Sequence, residues 1–150
     1  MTNLPFAATT PVSIGRVGLR ARDPGRLADF YKAALGLKEL RRAGGTIHLG
    51  VDGRALLEIE GSAALRPDDP RAAGLFHTAF LLPARADLAR WARHAIDARI
   101  PIDGASDHLV SEAIYLNDPE GNGIEIYADR DRSAWPREDG AIRMATERLD

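Results

Sequence analysis

Apolar and polar positions along this chain follow two rhythms, and those rhythms come in the same order twice. In residues 13–20, Val17 and Leu19 fall on one face while Arg16, Gly18 and Arg20 fall on the other, the period of two that marks a half-buried strand. Asp23-Pro24 then reads as an N-cap followed by a first helical residue. Leu27, Phe30, Tyr31, Ala34 and Leu35 recur at helical spacing, and Gly36 is suited to the left-handed residue that ends a helix. Three short strands are predicted next, near 37–40, 46–50 and 55–60, separated by Gly44-Gly45 and by the hairpin signal Asp52-Gly53.

After residues 61–74, where prolines, glycines and the loss of period mark a connection, the order restarts. Residues 75–82 predict a strand, Leu88, Trp91, Ala92, Ala95 and Ile96 the apolar stripe of a helix, and residues 102–109 another strand. A hairpin closes the second unit: Asn117 to Gly123 combines Asp-Pro with two glycines, and the arms on either side are β-branched, aromatic and alternating. On the second arm Ile124 and Ile126 face one side, Glu125 and Tyr127 the other. The expectation is one α+β domain over residues 1–150. Two tandem β-α-β-β-β units, about 13–60 and 75–128, form a curved mixed sheet around a cavity with both helices outside. Residues 129–150 belong to neither unit and are expected as a tail laid on the surface or across a partner.

Composition narrows the chemistry. At 45% hydrophobic and 28% charged residues, 150 residues suffice for one globular domain with a real core. The net charge is −2, and 18 of the 20 basic residues are arginines scattered without a basic stripe, so nucleic acid is not an expected partner. Without cysteine, disulfides, thiolate catalysis and thiolate metal sites are excluded. No apolar run reaches about 18 residues and the first residues lack a leader pattern, so no membrane association and a cytoplasmic location are expected.

Three polar residues interrupt apolar strands at related places. Glu58 lies between Leu57 and Ile59, Glu125 between Ile124 and Ile126, and His77 near Phe76 and Phe80, so all three are expected on the concave face opposite the helices. One imidazole and two carboxylates suit Fe(II), Mn(II), Ni(II) or Zn(II). The same groups also read as salt-bridged residues, because Arg16 and Arg20 share the face of Gly18 and can neutralise a carboxylate without any metal. His48 is expected to be exposed or to line the cavity, His94 to be solvated among arginines, and Trp91 to be core.

The tandem β-α-β-β-β pattern with polar residues on the first and last strands of each unit resembles the vicinal oxygen chelate superfamily of glyoxalases, bleomycin and fosfomycin resistance proteins and extradiol dioxygenases. The segments 74–91 and 104–130 and the tail down to residue 150 are similar to the N-terminal half of bacterial two-module proteins of the catechol 2,3-dioxygenase type. The resemblance implies a glyoxalase/bleomycin resistance/dioxygenase fold over about 13–128. It maps the extradiol iron ligands onto Gly18, His77 and Glu125, a glyoxalase-type fourth position onto Glu58, an active-site tyrosine onto Tyr115 and an acid/base histidine onto His108. Glycine carries no ligand, so the extradiol set is incomplete.

Two functions follow as expectations. In one, the chain is a metal-dependent dioxygenase-like or lyase-like enzyme whose His77, Glu125 and Glu58 hold a divalent ion, Fe(II) or else Mn(II), Ni(II) or Zn(II), that a substrate with vicinal oxygens chelates, while His108 and Tyr115 handle protons. In the other, it is a metal-free module that encloses a small aromatic ligand or serves as the structural half of a larger assembly. A homodimer is expected in either case, since a lone pair of units leaves sheet edges uncovered.

Overall fold

The computed structural model describes residues 13–62, 64–66, 71 and 73–149. The first unit comprises β1 (Val17–Ala21), α1 (Pro24–Leu35), β2 (Lys38–Ala43), β3 (Thr46–Val51) and β4 (Arg54–Gly61). The second comprises β5 (His77–Leu82), α2 (Arg85–Asp97), β6 (Gly104–Asp107), β7 (Ser111–Asn117) and β8 (Gly123–Asp129). The first twelve residues and much of the expected connection lie outside the described residues. Among the described residues no helix is long and apolar enough to cross a membrane.

Hydrogen bonding among the described residues gives two mixed sheets, one of order β1-β4-β3-β2 and one of order β11-β6-β7-β8-β5, and a two-stranded sheet in the tail of β9 (Arg137–Glu138) and β10 (Ala141–Ile142); β11 (Glu147–Arg148) also comes from the tail. In each unit the first strand runs parallel to the last, β1 beside β4 and β5 beside β8, and the other neighbours are antiparallel. Parallel neighbours need a crossover, which the helix of each unit supplies while covering one face of its sheet. The uncovered face is left for polar side chains.

The core forms where those helices sit. Leu27, Ala28 and Tyr31 of α1 meet Leu19, Ile47, Leu49, Leu57 and Ile59; Leu88, Trp91 and Ala95 of α2 meet Ile114, Leu116, Ile124 and Ile126; and all belong to one apolar cluster. Burying each of the larger aliphatic side chains contributes roughly 1.5–3 kcal/mol. The ends of α1 follow the sequence: the Asp23 side chain accepts from the Arg26 N–H at 2.9 Å, and Gly36 closes the helix at φ 67°.

Hydrogen bonds of the Trp91, His94, Tyr31 and Glu120 side chains tie the units together. Trp91 Nε1 donates to the Ala34 carbonyl at 2.9 Å and His94 Nε2 to the Ala33 carbonyl at 2.8 Å, so His94 is exposed as expected yet anchored to α1. Tyr31 donates to Asp118 at 3.0 Å, and Glu120 accepts from the Arg22 and Asp23 backbone N–H groups at 3.0 Å each. Asp118 also organises the β7–β8 turn, accepting from the backbone of Glu120 and Asn122 and from the Asn122 amide. The turn is thus a joint between units as well as a reversal.

Two apolar residues depart from expectation. Phe76, expected in the core, is 86% exposed, because β5 begins one residue later and its helix-facing positions are Thr78 and Phe80. Ile96, on the last turn of α2, is 66% exposed because the stripe that meets the sheet ends at Ala95.

Asp118→Ala should destabilise the protein by about 2–3 kcal/mol, since it removes the turn's acceptor and leaves the buried Tyr31 hydroxyl unpaired. Urea unfolding followed by far-UV circular dichroism measures this; a loss below about 1 kcal/mol would show that the joint is dispensable.

Candidate functional site

Register determines which side chains meet on the uncovered face. In the second unit Ala79 stands opposite Glu125 across the parallel β5–β8 pair, and His77 lies two residues earlier on the same side of β5. His77 Nε2 is 2.9 Å from Glu125 Oε2. Gly123 lets β5 come this close, because a Cβ there would lie 2.4 Å from the Phe76 carbonyl oxygen. Across the antiparallel β7–β8 pair Tyr115 stands opposite Glu125, and its hydroxyl donates to Oε1 at 3.0 Å. His108, just beyond β6, brings Nε2 to 2.6 Å from the Tyr115 oxygen and places Nδ1 2.8 Å from the Ala145 carbonyl oxygen.

His77, Glu125, Tyr115 and His108 therefore form one chain of hydrogen bonds. The Ala145 carbonyl only accepts, so Nδ1 of His108 carries a hydrogen. The Tyr115 hydroxyl is the link between the two ends, bonding Glu125 on one side and meeting His108 Nε2 on the other. Burial, followed by the hydrogen bond and negative charge of Glu125, pushes the Tyr115 phenol up to about 12.

The chain opens into a cavity of about 550 Å³. Tyr127 and Val110 line it from the second unit, and Trp135, Ile142 and Met144 come from the tail. The tail is thereby part of the site: β11 pairs with β6, and the Ala145 N–H bonds the His108 carbonyl at 3.4 Å. Sequence reading placed the tail outside both units and missed these wall residues, which carry no periodic signal. Another cavity of about 550 Å³ is lined by Arg85, Glu112 and Arg130. Both arginines bind Glu112, and Arg130 also binds Asp107.

The first unit repeats the arrangement with different groups. Gly18 stands opposite Glu58 across the parallel β1–β4 pair, and His48 stands opposite Glu58 across the antiparallel β3–β4 pair. Gly18 is thus the counterpart of Ala79, and the counterpart of His77, two residues earlier, is Arg16. This corrects the expectation that set Gly18 against His77: a period of two places residues 16 and 18 on one face alike, and only register separates them. Arg16 Nε is 2.9 Å from Glu58 Oε1 and His48 Nδ1 3.0 Å from the same oxygen, while Arg41 Nη2 is 3.1 Å from His48 Nε2. A guanidinium only donates, so Nε2 accepts and Nδ1 carries the hydrogen given to Glu58. His48 is 9% exposed, a buried member of this chain.

The three expected metal ligands are therefore divided. His77 and Glu125 meet in the second unit, while Glu58 is held by Arg16 and His48 beside a separate 260 Å³ cavity that Gly18, Arg20 and Thr46 also line. Among the described residues no three His, Asp or Glu side chains are arranged to hold a metal ion. With two donors bonded to each other and a guanidinium at the equivalent first-unit position, the residues present do not fit the three-ligand set that the resemblance implies.

Comparison with known proteins agrees with this architecture. A sequence model described as the Glyoxalase/Bleomycin resistance protein/Dioxygenase superfamily matches residues 13–126. A catechol-2,3-dioxygenase of Bacillus subtilis (strain 168) is 40% identical over 140 residues, covering 91% of this chain and 49% of the relative, so the chain spans about half the length of that protein. A glyoxalase/dioxygenase from Nostoc punctiforme superposes with a TM-score of 0.69 at 22% identity, covering 87% of this chain and all of that one. A lactoylglutathione lyase from Agrobacterium tumefaciens does so with 0.62 at 24%, covering 79% and 94%. At these identities the structural likeness establishes the fold alone.

All three tyrosines have raised phenol pKa values, Tyr31 and Tyr127 also through burial and then nearby carboxylates. A phenol whose folded pKa exceeds its unfolded value of about 10 contributes stability that is complete below that pH and lost as pH rises through the folded pKa. The native protein should show little phenolate absorbance near pH 10, where the urea-unfolded chain is about half ionised. Equal absorbance of the two forms would contradict the burial and pairing of these hydroxyls.

Proposed function

This chain belongs to the glyoxalase/bleomycin resistance protein/dioxygenase superfamily, and we propose that the cavity of its second unit binds a small aromatic molecule bearing vicinal oxygens. The observation that carries this reading is the hydrogen-bond chain from His77 to His108 that opens into an aromatic and aliphatic wall. Trp135 and Tyr127 offer faces for a ring, and Ile142, Met144 and Val110 exclude water around it. Two adjacent oxygens on the ring find groups that both donate and accept, because a hydroxyl and a neutral imidazole each do so. His108 and Tyr115 are the groups placed to take a proton from the ligand or return one.

Two donors, His77 and Glu125, are what this cavity offers a divalent cation, while Glu58 is committed in the first unit. Such a pair supports weak binding of Fe(II), Mn(II), Ni(II) or Zn(II) at most, and the reading requires no metal step. The 40% identity to a catechol-2,3-dioxygenase, about half of whose length the chain spans, favours a second reading. In it the chain is the ligand-binding or structural partner of a module that carries out a dioxygenase-like or lyase-like reaction.

Titration of the protein with catechol in the presence of EDTA, followed by tryptophan fluorescence, tests the first reading. Saturable binding of catechol and roughly 10-fold weaker binding of its isomer resorcinol are expected, as is a similar loss in Tyr115→Phe or His108→Ala. No saturation at millimolar catechol, or equal binding of the two isomers, would reject it.

The proposal includes a homodimer. All six residues of the edge strand β2 are exposed, and Leu75, Phe76 and Leu81 leave apolar surface at or beside β5, an edge strand of the other mixed sheet. Light scattering should give twice the chain mass of 16.3 kDa; the monomer mass at micromolar concentration would exclude this arrangement.

A further inference from the structure

The two units carry the same scaffold of polar contacts with opposite chemistry. Each last strand presents a carboxylate, Glu58 or Glu125, that is gripped from the first-strand side by Arg16 or His77 and from the third strand by His48 or Tyr115. In the first unit the group two residues before the carboxylate's strand partner is a guanidinium. We propose that Arg16 blocks a latent metal site, holding the position of a ligand with a permanent positive charge and so keeping divalent cations off Glu58.

The proposal rests on three features of this unit. His48 and Glu58 already meet at 3.0 Å, one imidazole and one carboxylate on adjacent strands. The Arg16 Nε approaches the same Glu58 oxygen at 2.9 Å, so a cationic group occupies the place where a metal would share that oxygen. The Arg16 side chain is 59% exposed, so its replacement leaves the core intact. An imidazole at position 16 would supply the third donor of a two-histidine, one-carboxylate set, which suits Zn(II) and other first-row divalent ions. Gly18 does not serve this purpose. It stands directly opposite Glu58, and although a Cβ there meets nothing within 4 Å, it is not the counterpart of His77.

Calorimetric titration with Zn(II) separates these possibilities. Arg16→His should bind one equivalent with an affinity at least about 10-fold above that of the natural protein, and Glu58→Gln in that background should remove the gain. Gly18→His should gain nothing. Arg16→Gln, which removes the charge without adding a ligand, should gain less than Arg16→His. Co(II) absorption gives an independent readout, with intense d–d bands expected for Arg16→His. The proposal is overturned by tight Zn(II) binding in the natural protein that Arg16→His leaves unchanged. It is likewise overturned if Gly18→His gains while Arg16→His does not, or if Arg16→Gln gains as much as Arg16→His. Catechol binding in the second unit does not enter these measurements, so failure here leaves the proposed function to its own test.

Discussion

The parallel pairing of the first and last strand in each unit is the constraint from which the rest of the structure follows. Two parallel neighbours cannot be joined by a tight turn, so a helix must cross over and cover one face. With that face given to Leu57, Ile59, Ile124 and Ile126, the alternation of the strands sends Glu58 and Glu125 to the other. A carboxylate half-buried on a rigid strand needs hydrogen-bond donors, and the strands on either side of it supply them in both units.

What distinguishes the units is the origin of those hydrogens. Guanidinium groups begin and end the first chain, and they neither release a proton at ordinary pH nor accept one, so the arrangement of Arg41, His48, Glu58 and Arg16 is closed. In the second chain imidazole and phenol take those places, groups that can both donate and accept a hydrogen. The same backbone therefore carries an ion pair in one half and a chain of hydrogen-bonded imidazole, phenol and carboxylate groups in the other. The chain that can exchange protons is the one beside the apolar cavity.

The tail contributes to that difference. By pairing β11 with β6 and accepting the His108 Nδ1 hydrogen on the Ala145 carbonyl, it selects which nitrogen of His108 faces Tyr115. It also brings Trp135, Ile142 and Met144 over the site, and among the described residues the first unit has no equivalent segment. The ion network of Asp107, Arg130 and Glu112 holds the start of the tail against β6 and β7, with Arg130 keeping the Asp107 carboxyl below the ordinary carboxylate range.

Much of this was legible in the residues. Strand and helix periods, the Asp23-Pro24 start and Gly36 stop of α1, and the Asn117 to Gly123 turn are local properties of backbone and side chain, and they sufficed for two β-α-β-β-β units and for the face on which Glu58, His77 and Glu125 lie. Neighbouring strands are set by contacts far apart in sequence, and there the local signals end. A period of two assigns Arg16 and Gly18 to one face without saying which stands two residues before the partner of Glu58. That choice belongs to the β1–β4 register, as the meeting of His77 with Glu125 belongs to β5–β8. Likewise Phe76 is apolar and adjacent to a strand, yet the strand begins after it and leaves it in solvent. The sequence by itself determined the elements, their faces and the candidate groups; only tertiary structure decided which of those groups touch, because hydrogen bonds between strands depend on a register that no single strand encodes.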